Sequence, residues 1–205
     1  MLSQRPDDRV AALVLAAIAG CVDAIAWLEL GGFFVSFMSG NSTRLGVALG
    51  QSQWPLARFA FGLVILFVGG VAAGNLIGER FGTRRAPVLL SIQAVLLAIA
   101  AALYGHGRYG YAPPLMALAM GIANTVFMRP DGSGVGITYM TGTLVRIGTG
   151  FARRGDPLPW LDIALWLAFV AGATAGAAAD SGYGGTALEA PAIAALLLAL
   201  WRWWR

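Results

Sequence analysis

The chain carries one glycine-broken, arginine-bearing motif twice, and each copy interrupts a segment that is otherwise apolar. The first copy runs from Met38 to Gly46 as MSGNSTRLG, and the second runs from Met140 to Gly148 as MTGTLVRIG. The copies lie 102 positions apart, the distance from Met38 to Met140. Inside a bilayer, irregular backbone survives only where protein or a water-filled cavity satisfies its polar groups. The motif therefore predicts a duplicated membrane fold with two broken segments.

Composition indicates that the whole chain lies in a membrane. Of 205 residues, 58% are hydrophobic and 12% are charged, against roughly 25% charged residues in an ordinary soluble domain. We expect residues 1–205 to form a single polytopic membrane domain in contact with the lipid bilayer. All 14 basic residues are arginines, clustered in short loops rather than along one face. Nucleic-acid binding is therefore not expected.

Apolar runs predict helical spans at six places, namely 10–30, 55–78, 87–104, 113–128, 158–180 and 187–204. Segments 31–53 and 130–153 follow the first span of each half, and neither has an uninterrupted apolar run of spanning length. Each of them is expected to begin extended and glycine-rich and to become helical near its arginine. The internal repeats are then approximately residues 10–104 and 113–204.

Matching residues support the duplication. The offset of 102 holds for the pairs Met38/Met140, Gly40/Gly142, Arg44/Arg146, Gly46/Gly148, Gly70/Gly172 and Gly74/Gly176. With one added residue upstream, Asp23 aligns with Asn124. The glycine pairs four residues apart are typical of close-packing points between helices, and the same faces offer a surface for a homodimer.

The topology depends on whether segments 31–53 and 130–153 cross the membrane. If both are re-entrant, each repeat has three spans and the second repeat is inverted relative to the first. With a cytoplasmic amino terminus, this arrangement puts ten arginines inside: Arg5, Arg9, Arg80, Arg84, Arg85, Arg129, Arg153, Arg154, Arg202 and Arg205. Only Arg58 and Arg108 are then outside, as the positive-inside preference favours.

If both segments cross fully, the chain has eight spans in two parallel repeats. Arg58 and Arg108 then move inside and four arginines move outside, namely Arg80, Arg84, Arg85 and Arg129, so the count worsens to eight against four. We therefore expect an all-α integral membrane protein made of two three-helix inverted repeats, each with a broken or re-entrant segment. Both termini are expected in the cytoplasm, and the eight-span parallel arrangement is the alternative.

The broken segments contain the predicted substrate-binding residues, which are Ser39, Gly40, Asn41 and Arg44 in the first copy and Thr141, Gly142, Thr143 and Arg146 in the second. A half-helix that begins at these positions has free N–H groups and a positive dipole end. Each arginine adds a permanent charge that costs at least ~2.5 kcal/mol in lipid unless it is paired or solvated. The two copies predict a midplane site for a small anionic solute. Alternatively, the arginines snorkel to the interface or fasten helices together.

Asp23 lies within the first apolar span, where an unpaired carboxylate is costly. Arg44 is its most obvious partner. The aligned residue, Asn124, keeps hydrogen-bonding ability without charge, so the two halves differ chemically here. A proton-coupled carboxylate and a purely structural Asp23–Arg44 ion pair both fit this pattern.

Other reactive residues do not form a catalytic or metal-binding set. Cys21 is the only cysteine, and His106 stands alone in an aromatic turn. Glu29 is expected at the membrane interface, and Asp162 is expected to stabilise the dipole at a helix start. The sequence therefore predicts no enzyme, no metal site and no cofactor.

Several short elements resemble the YoaK family of bacterial inner-membrane proteins. They are Gly20–Ala24 (GCVDA), Gly31–Phe33 (GGF), Phe34–Asn41 (FVSFMSGN) and Met140–Thr143 (MTGT). The resemblance implies a multi-pass protein of the bacterial cytoplasmic (inner) membrane, without a settled substrate or a recognised cofactor.

Two functional hypotheses follow. The first is a small transporter or channel in which the two half-helix starts surround a small anionic solute, with Asp23 accepting a proton or adjusting the charge. The second is a non-transporting membrane scaffold or interaction protein that assembles through its glycine-rich faces.

Overall fold

The computed structural model describes residues 6–127, 138–153 and 158–205, and within them the chain is helical without strands. The helices are α1 (Pro6–Glu29), α2 (Met38–Gly50), α3 (Trp54–Phe81), α4 (Arg85–Gly105), α5 (Ala112–Ala123), α6 (Met140–Ala152), α7 (Trp160–Tyr183) and α8 (Glu189–Trp203). Short 3₁₀ turns occupy Gly82–Arg84, Tyr109–Tyr111 and Gly184–Leu188. The prediction of an all-α protein is confirmed.

Among the residues that the structure describes, three continuous helical stretches are long and apolar enough to cross a bilayer: Pro6–Glu29, Trp54–Gly105 and Trp160–Trp203. The second stretch contains α3 and α4, and the third contains α7 and α8. Each pair reverses direction at a glycine with positive φ, Gly82 (50°) or Gly184 (56°). A side chain with a Cβ rarely adopts that conformation, so glycine suits both reversals. The prediction of membrane-spanning helices is confirmed.

The fourth predicted span, 113–128, is longer than the helix that forms. Helix α5 ends at Ala123 and is followed by turns through Phe127, while residue 128 lies outside the described part of the chain. Where the helix ends, the Asn124 side chain donates from Nδ2 to the Met120 carbonyl oxygen over 2.9 Å, and the Thr125 hydroxyl donates to the Ile122 carbonyl oxygen over 2.7 Å. Asn and Asp side chains compete in this way with the helical backbone.

Helices α1 and α7 pack with their backbones in direct contact. A Cβ placed on Gly172 would stand 2.0 Å from the carbonyl oxygen of Ala17, and one on Gly20 would stand 2.0 Å from that of Phe169. Any larger residue at either glycine would push the helices apart. Small residues allow this close approach in membranes, where dispersion contacts between helices replace the hydrophobic effect.

Helices α3 and α5 repeat this contact at equivalent positions. A Cβ on Gly70 would stand 2.4 Å from the carbonyl oxygen of Leu118, and one on Gly121 would stand 2.2 Å from that of Phe67. Here α3 takes the place of α7 and α5 takes the place of α1. The predicted close packing at glycine is therefore confirmed.

The glycine faces of α3 and α7 are buried against other helices of the same chain. Gly70 and Gly74 of α3 are buried against α5, and Gly172 and Gly176 of α7 are buried against α1. These four glycines are therefore not available to a second copy of the chain, and the expectation of a homodimer through glycine-rich faces is not supported.

Helices α4 and α8 run antiparallel. At one end, the Arg84 guanidinium lies 5.5 Å from the ring centroid of Trp203. At the other end, Gly185 lies directly beneath the ring of Tyr104, since a Cβ there would stand 2.3 Å from Cγ of the tyrosine. The start of α4 thus meets the end of α8, and the end of α4 meets the start of α8.

Ion pairs and loops define two ends of the bundle. Asp8 at the start of α1 accepts a hydrogen bond from Arg202 at the end of α8 over 2.8 Å. These groups and Arg84 lie at one end, which we call the basic end. Its described arginines include Arg9, Arg80, Arg84, Arg85, Arg202 and Arg205, while Arg5, Arg129 and Arg154 lie outside the described residues. Helices α1, α4 and α7 finish at the other end, which we call the opposite end.

Adjacent glycines in α3 test the direct packing. We expect Gly70→Ala to destabilise the detergent-solubilised protein by about 1–3 kcal/mol, because the new methyl group meets the α5 backbone. Gly69→Ala is the matched control, since a Cβ there meets nothing within 4 Å in the described chain. Alanine also favours a helix over glycine, so this control should unfold at the wild-type temperature or above it. Equal unfolding temperatures for the two variants would contradict the contact.

Candidate functional site

Residues 30–37 form a returning loop that folds back along α1 and is anchored on Asp23. Oδ1 of Asp23 accepts hydrogen bonds from the backbone N–H of Val35 over 2.9 Å and of Ser36 over 2.8 Å. The Ser36 hydroxyl donates to Oδ2 over 2.6 Å. Asp23 precedes the last residue of α1 by six positions, a distance of about 9 Å along a helix. The loop therefore returns about this far into the bundle before α2 begins.

Asn41 holds the start of α2 against the same loop. Its Nδ2 donates to the Phe34 carbonyl oxygen over 2.6 Å, and the Phe34 N–H donates to its Oδ1 over 3.0 Å. The side chain of Asn41 is fully buried. Because both ends of its amide are engaged, Asn41 acts as a clamp within the loop.

Arg44 lies one turn further along α2 and contacts the beginning of the returning loop. Its guanidinium donates to the carbonyl oxygens of Gly31, over 3.2 Å, and Gly32, and its Cζ stands 4.1 Å from the ring centroid of Phe33. Both glycines have positive φ. Arg44 therefore lies at the level of the end of α1, nearer the opposite end of the bundle than Asp23.

The expected Asp23–Arg44 ion pair is not formed. Asp23 binds two backbone N–H groups and a hydroxyl, whereas Arg44 binds backbone carbonyls and an aromatic face. The two charged side chains satisfy opposite kinds of backbone group in one loop. This division is economical in a bilayer, where unsatisfied N–H and C=O groups each cost several kcal/mol.

Asn124 anchors the second half in the same way. Its Oδ1 accepts from the Thr138 N–H over 3.3 Å and from the Thr138 hydroxyl over 3.0 Å. Thr138 stands two residues before α6, as Ser36 stands two residues before α2. The anchoring role of Ser36 and Thr138 was not predicted, although the 102-residue offset aligns them.

Arg146 differs from Arg44 because a carboxylate neutralises it. Its guanidinium donates to Asp162 Oδ1 over 2.8 Å and to the Thr143 hydroxyl oxygen over 2.9 Å. Asp162 lies in the first turn of α7, as predicted, and pairing with Arg146 is its additional role. The residue aligned with Asp162 in the first half is Ala60, so Arg44 lacks an equivalent partner among the described residues.

The motif glycines are required by aromatic rings that cover the first turns of α2 and α6. A Cβ on Gly40 would stand 2.6 Å from the Phe37 ring, and one on Gly142 would stand 2.1 Å from the Tyr139 ring. Ser39 and Thr141, beside them, are exposed. The amide groups at these helix starts therefore face aromatic side chains as well as the surroundings.

Two cavities flank the returning loop. One, of about 460 Å³, lies between α1 and α7, and its described walls include Asp23, Trp27, Phe34 and Phe169. The other, of about 200 Å³, lies beside α2, and its described walls combine apolar side chains with Thr43, Arg44 and Gln53. Neither wall includes a residue of α6, so the two predicted sets of binding residues do not meet around either cavity.

Metal-ligand chemistry is sparse in this region. Within the described ranges, three histidine, cysteine or acidic side chains do not come close enough together to hold a metal ion. Cys21 is a free thiol that packs against Gly176 of α7.

We predict that two substitutions of Asp23 lower the stability of the protein by different amounts. Asp23→Ala leaves two buried N–H groups and one hydroxyl without their acceptor, at about 1–3 kcal/mol for each. Asp23→Asn retains one acceptor oxygen, as Asn124 does, and is expected to cost less. Thermal unfolding in detergent should rank the proteins as wild type, then Asp23→Asn, then Asp23→Ala. Equal losses for the two variants would show that the loop does not depend on this acceptor.

Comparison with known proteins gives a family match and named relatives. The model of the family "Protein of unknown function (DUF1275)" matches residues 11–201. The UPF0700 transmembrane protein RA0705 of Rhizobium meliloti (strain 1021) is 38% identical over 185 residues, which cover 88% of this chain and 80% of the relative. The UPF0700 transmembrane protein YoaK of Bacillus subtilis (strain 168) is 30% identical over 143 residues, which cover 65% of this chain and 63% of the relative. The chain has no significant match among solved structures.

Proposed function

This chain belongs to the DUF1275 family of membrane proteins, and we propose that it is a transporter or channel for a small anionic solute, built from two inverted repeats. The observation that carries the proposal is the reciprocal packing of the two halves. Helix α1 packs on α7 as α5 packs on α3, through glycines at matching positions.

The direction of the helices favours inversion. Under the 102-residue offset α4 corresponds to α8, and these two helices run antiparallel. Two equivalent elements that run in opposite directions are related by an axis in the membrane plane. Two parallel repeats would instead require α4 and α8 to run in the same direction. The contacts of Val35 and Ser36 with Asp23 and of Thr138 with Asn124 agree with three spans in each repeat.

Inverted repeats with interrupted helices are a recurring design of secondary transporters. One set of helices can rock against the other around a fixed site, which alternates access between the two sides of the membrane. In this chain, the contacts between α1 and α7 and between α3 and α5 each join helices from different repeats. A movement at these contacts would therefore change the relation of the two halves.

Arg44 supports an anionic solute. Its guanidinium remains charged at any physiological pH, and its described hydrogen bonds go to carbonyls rather than to a carboxylate. It borders the cavity of about 200 Å³ together with the hydroxyl of Thr43 and the amide of Gln53. This set suits a small anion, and we propose Arg44 as its main contact. Arg146, already paired with Asp162, is the weaker counterpart.

The arginine distribution supports an orientation. The starts of α1 and α4 and the end of α8 share the basic end, while Arg58 and Arg108 belong to the opposite end. By the positive-inside preference, we propose that the basic end faces the cytoplasm of a bacterial inner membrane, with both termini inside.

Single cysteines test the topology in a Cys21→Ala background. We expect Ser52→Cys and Tyr109→Cys to react with a membrane-impermeant maleimide added to intact cells, whereas Thr83→Cys reacts only after permeabilisation. All three positions are exposed. Eight spans in two parallel repeats would reverse all three results, so the opposite labelling pattern would overturn the inverted arrangement with cytoplasmic termini.

Proteoliposome flux with a panel of small anions tests the function. Arg44→Gln removes a charge-assisted hydrogen bond of about 1.5–3 kcal/mol, so we expect a roughly 10- to 100-fold weaker apparent affinity. Arg108→Gln, an exposed arginine outside the cavity walls, is the matched control and should transport like wild type. Unfolding temperatures of all three proteins confirm folding.

Two outcomes would count against the proposal. Wild-type flux in folded Arg44→Gln would show that Arg44 does not bind the transported anion. Absence of flux for every anion in folded wild-type protein would favour the scaffold hypothesis instead.

A further inference from the structure

The larger cavity, between α1 and α7, combines a carboxyl group with aromatic side chains in an otherwise apolar wall. Its volume of about 460 Å³ is typical of pockets that hold small organic molecules. Asp23 is the only charged side chain among its described walls. Thr174 also lines the cavity, but its hydroxyl already donates to the Val170 carbonyl oxygen over 2.9 Å. Asp23 is therefore the charge that a ligand in this cavity would meet.

Asp23 is buried without a cation beside it in the described chain. Only 4% of the residue is exposed, and its hydrogen bonds come from two backbone N–H groups and the Ser36 hydroxyl. These three donors leave room for another, because an ionised carboxylate has about four acceptor positions. Described ion pairs instead use carboxylates such as Asp7, Asp8 and Asp162. A buried negative charge is costly in a membrane unless it is paired, and a bound cation would supply the partner.

Aromatic rings line the cavity together with this carboxylate. Trp27 lies four residues after Asp23, on the same face of α1. Its ring centroid stands 5.0 Å from that of Phe34 in the returning loop, and Phe169 contributes from α7. The face of an aromatic ring attracts cations, most strongly in tryptophan, and aromatic cages hold quaternary ammonium groups in this way. The wall therefore suits a cation that carries apolar substituents.

The cavity opens at the surface of the bundle. Trp27, Leu28 and Thr174 line it and are exposed, whereas Asp23 is buried. A ligand therefore reaches the carboxyl group past largely apolar side chains. Because Asp23 lies about 9 Å from the end of α1, this position is deeper than the headgroup of a lipid at the membrane interface.

The two sides of the returning loop carry charges of opposite sign. Phe33 and Arg44 line the cavity of about 200 Å³, whereas the next residue, Phe34, lines the larger cavity with Asp23. A cation is repelled by the guanidinium in the smaller cavity and attracted by the carboxylate in the larger one. The larger cavity is therefore a site distinct from the one proposed for the anion.

We propose that the cavity between α1 and α7 binds a small free organic cation, a tertiary or quaternary ammonium with apolar substituents. Its positive centre lies beside the Asp23 carboxylate and the rings of Trp27 and Phe34. The ligand neutralises the buried charge, while the hydrogen bonds that anchor the returning loop stay in place. This site does not depend on anion transport, so failure of the transport proposal leaves it standing.

Equilibrium dialysis of the full-length protein in dodecyl maltoside tests the site with two probes of the same shape. Benzyltrimethylammonium carries the positive charge, and neopentylbenzene has carbon in place of its nitrogen. Uptake by protein-free micelles is subtracted for both. We expect the wild type to bind the cation at least ~10-fold more tightly than the neutral probe. Equal affinities for the two probes would overturn the site.

Asp23→Asn separates the charge of Asp23 from its structural role. The variant keeps an acceptor for the loop, so it should bind neopentylbenzene like the wild type and lose the preference for the cation. Measurements are made below the unfolding temperatures of both proteins. An unchanged preference in folded Asp23→Asn, or an equal loss of affinity for both probes, would contradict the proposed ion pair.

Substitutions of Trp27 test the aromatic wall without removing the loop anchor. Trp27→Leu should weaken benzyltrimethylammonium binding by roughly 2- to 30-fold, whereas Trp27→Phe, which keeps a ring, should lose less. Trp166→Leu is the matched control, because Trp166 is an exposed tryptophan of α7 outside the described cavity walls. This control should bind like the wild type. Equal losses in Trp27→Leu and Trp166→Leu would show that Trp27 does not contact the cation.

Competition with phospholipids identifies the source of the ammonium group. We expect stoichiometric phosphatidylethanolamine to leave binding of benzyltrimethylammonium unchanged, because the headgroup stays at the interface. Displacement by this lipid, but not by phosphatidylglycerol, would assign the cavity to a lipid headgroup and overturn the assignment to a free cation.

Discussion

The hydrogen bonds from the returning loop to the Asp23 carboxylate are the interaction on which the first half depends. A chain that turns back inside a bilayer must satisfy its N–H and C=O groups without water. Asp23 accepts from two N–H groups and a hydroxyl, while Arg44 donates to the two carbonyls at the beginning of the loop. The two charged side chains, Asp23 and Arg44, therefore supply the hydrogen bonds that the backbone of this irregular segment needs. In the second half, the neutral amide of Asn124 binds Thr138, and Arg146 pairs with Asp162.

This division also explains why the two halves are chemically unequal. Arg146 is committed to Asp162, and its aligned partner Arg44 retains an uncompensated charge beside a small cavity. In the proposed duplicated arrangement the two halves share one pattern of helix packing, and differences at a few polar positions, such as Ala60 and Asp162, make the halves differ in charge.

The sequence predicted much of the frame because apolar runs and glycine spacing are local signals. The predicted spans correspond to helices, and the interruption at 31–53 resolves into a loop followed by α2. The sequence did not reveal that α5 stops at Ala123, because the run stays largely apolar and the polar residues Asn124 and Thr125 bind carbonyl oxygens of the preceding turn. Pairing Asp23 with Arg44 was wrong for a related reason. The true partners of Asp23 include backbone N–H groups, which every residue except proline possesses and which leave no mark in the sequence.

The interleaving of the two halves has a consequence for biogenesis. Helix α7 covers the glycine face of α1, and α5 covers that of α3. Both faces stay uncovered until these later helices have been made. The face of α1 is covered only once α7 has been made, which happens near the end of synthesis. The direct backbone packing of α1 on α7 is therefore completed only after the second half of the chain has been made.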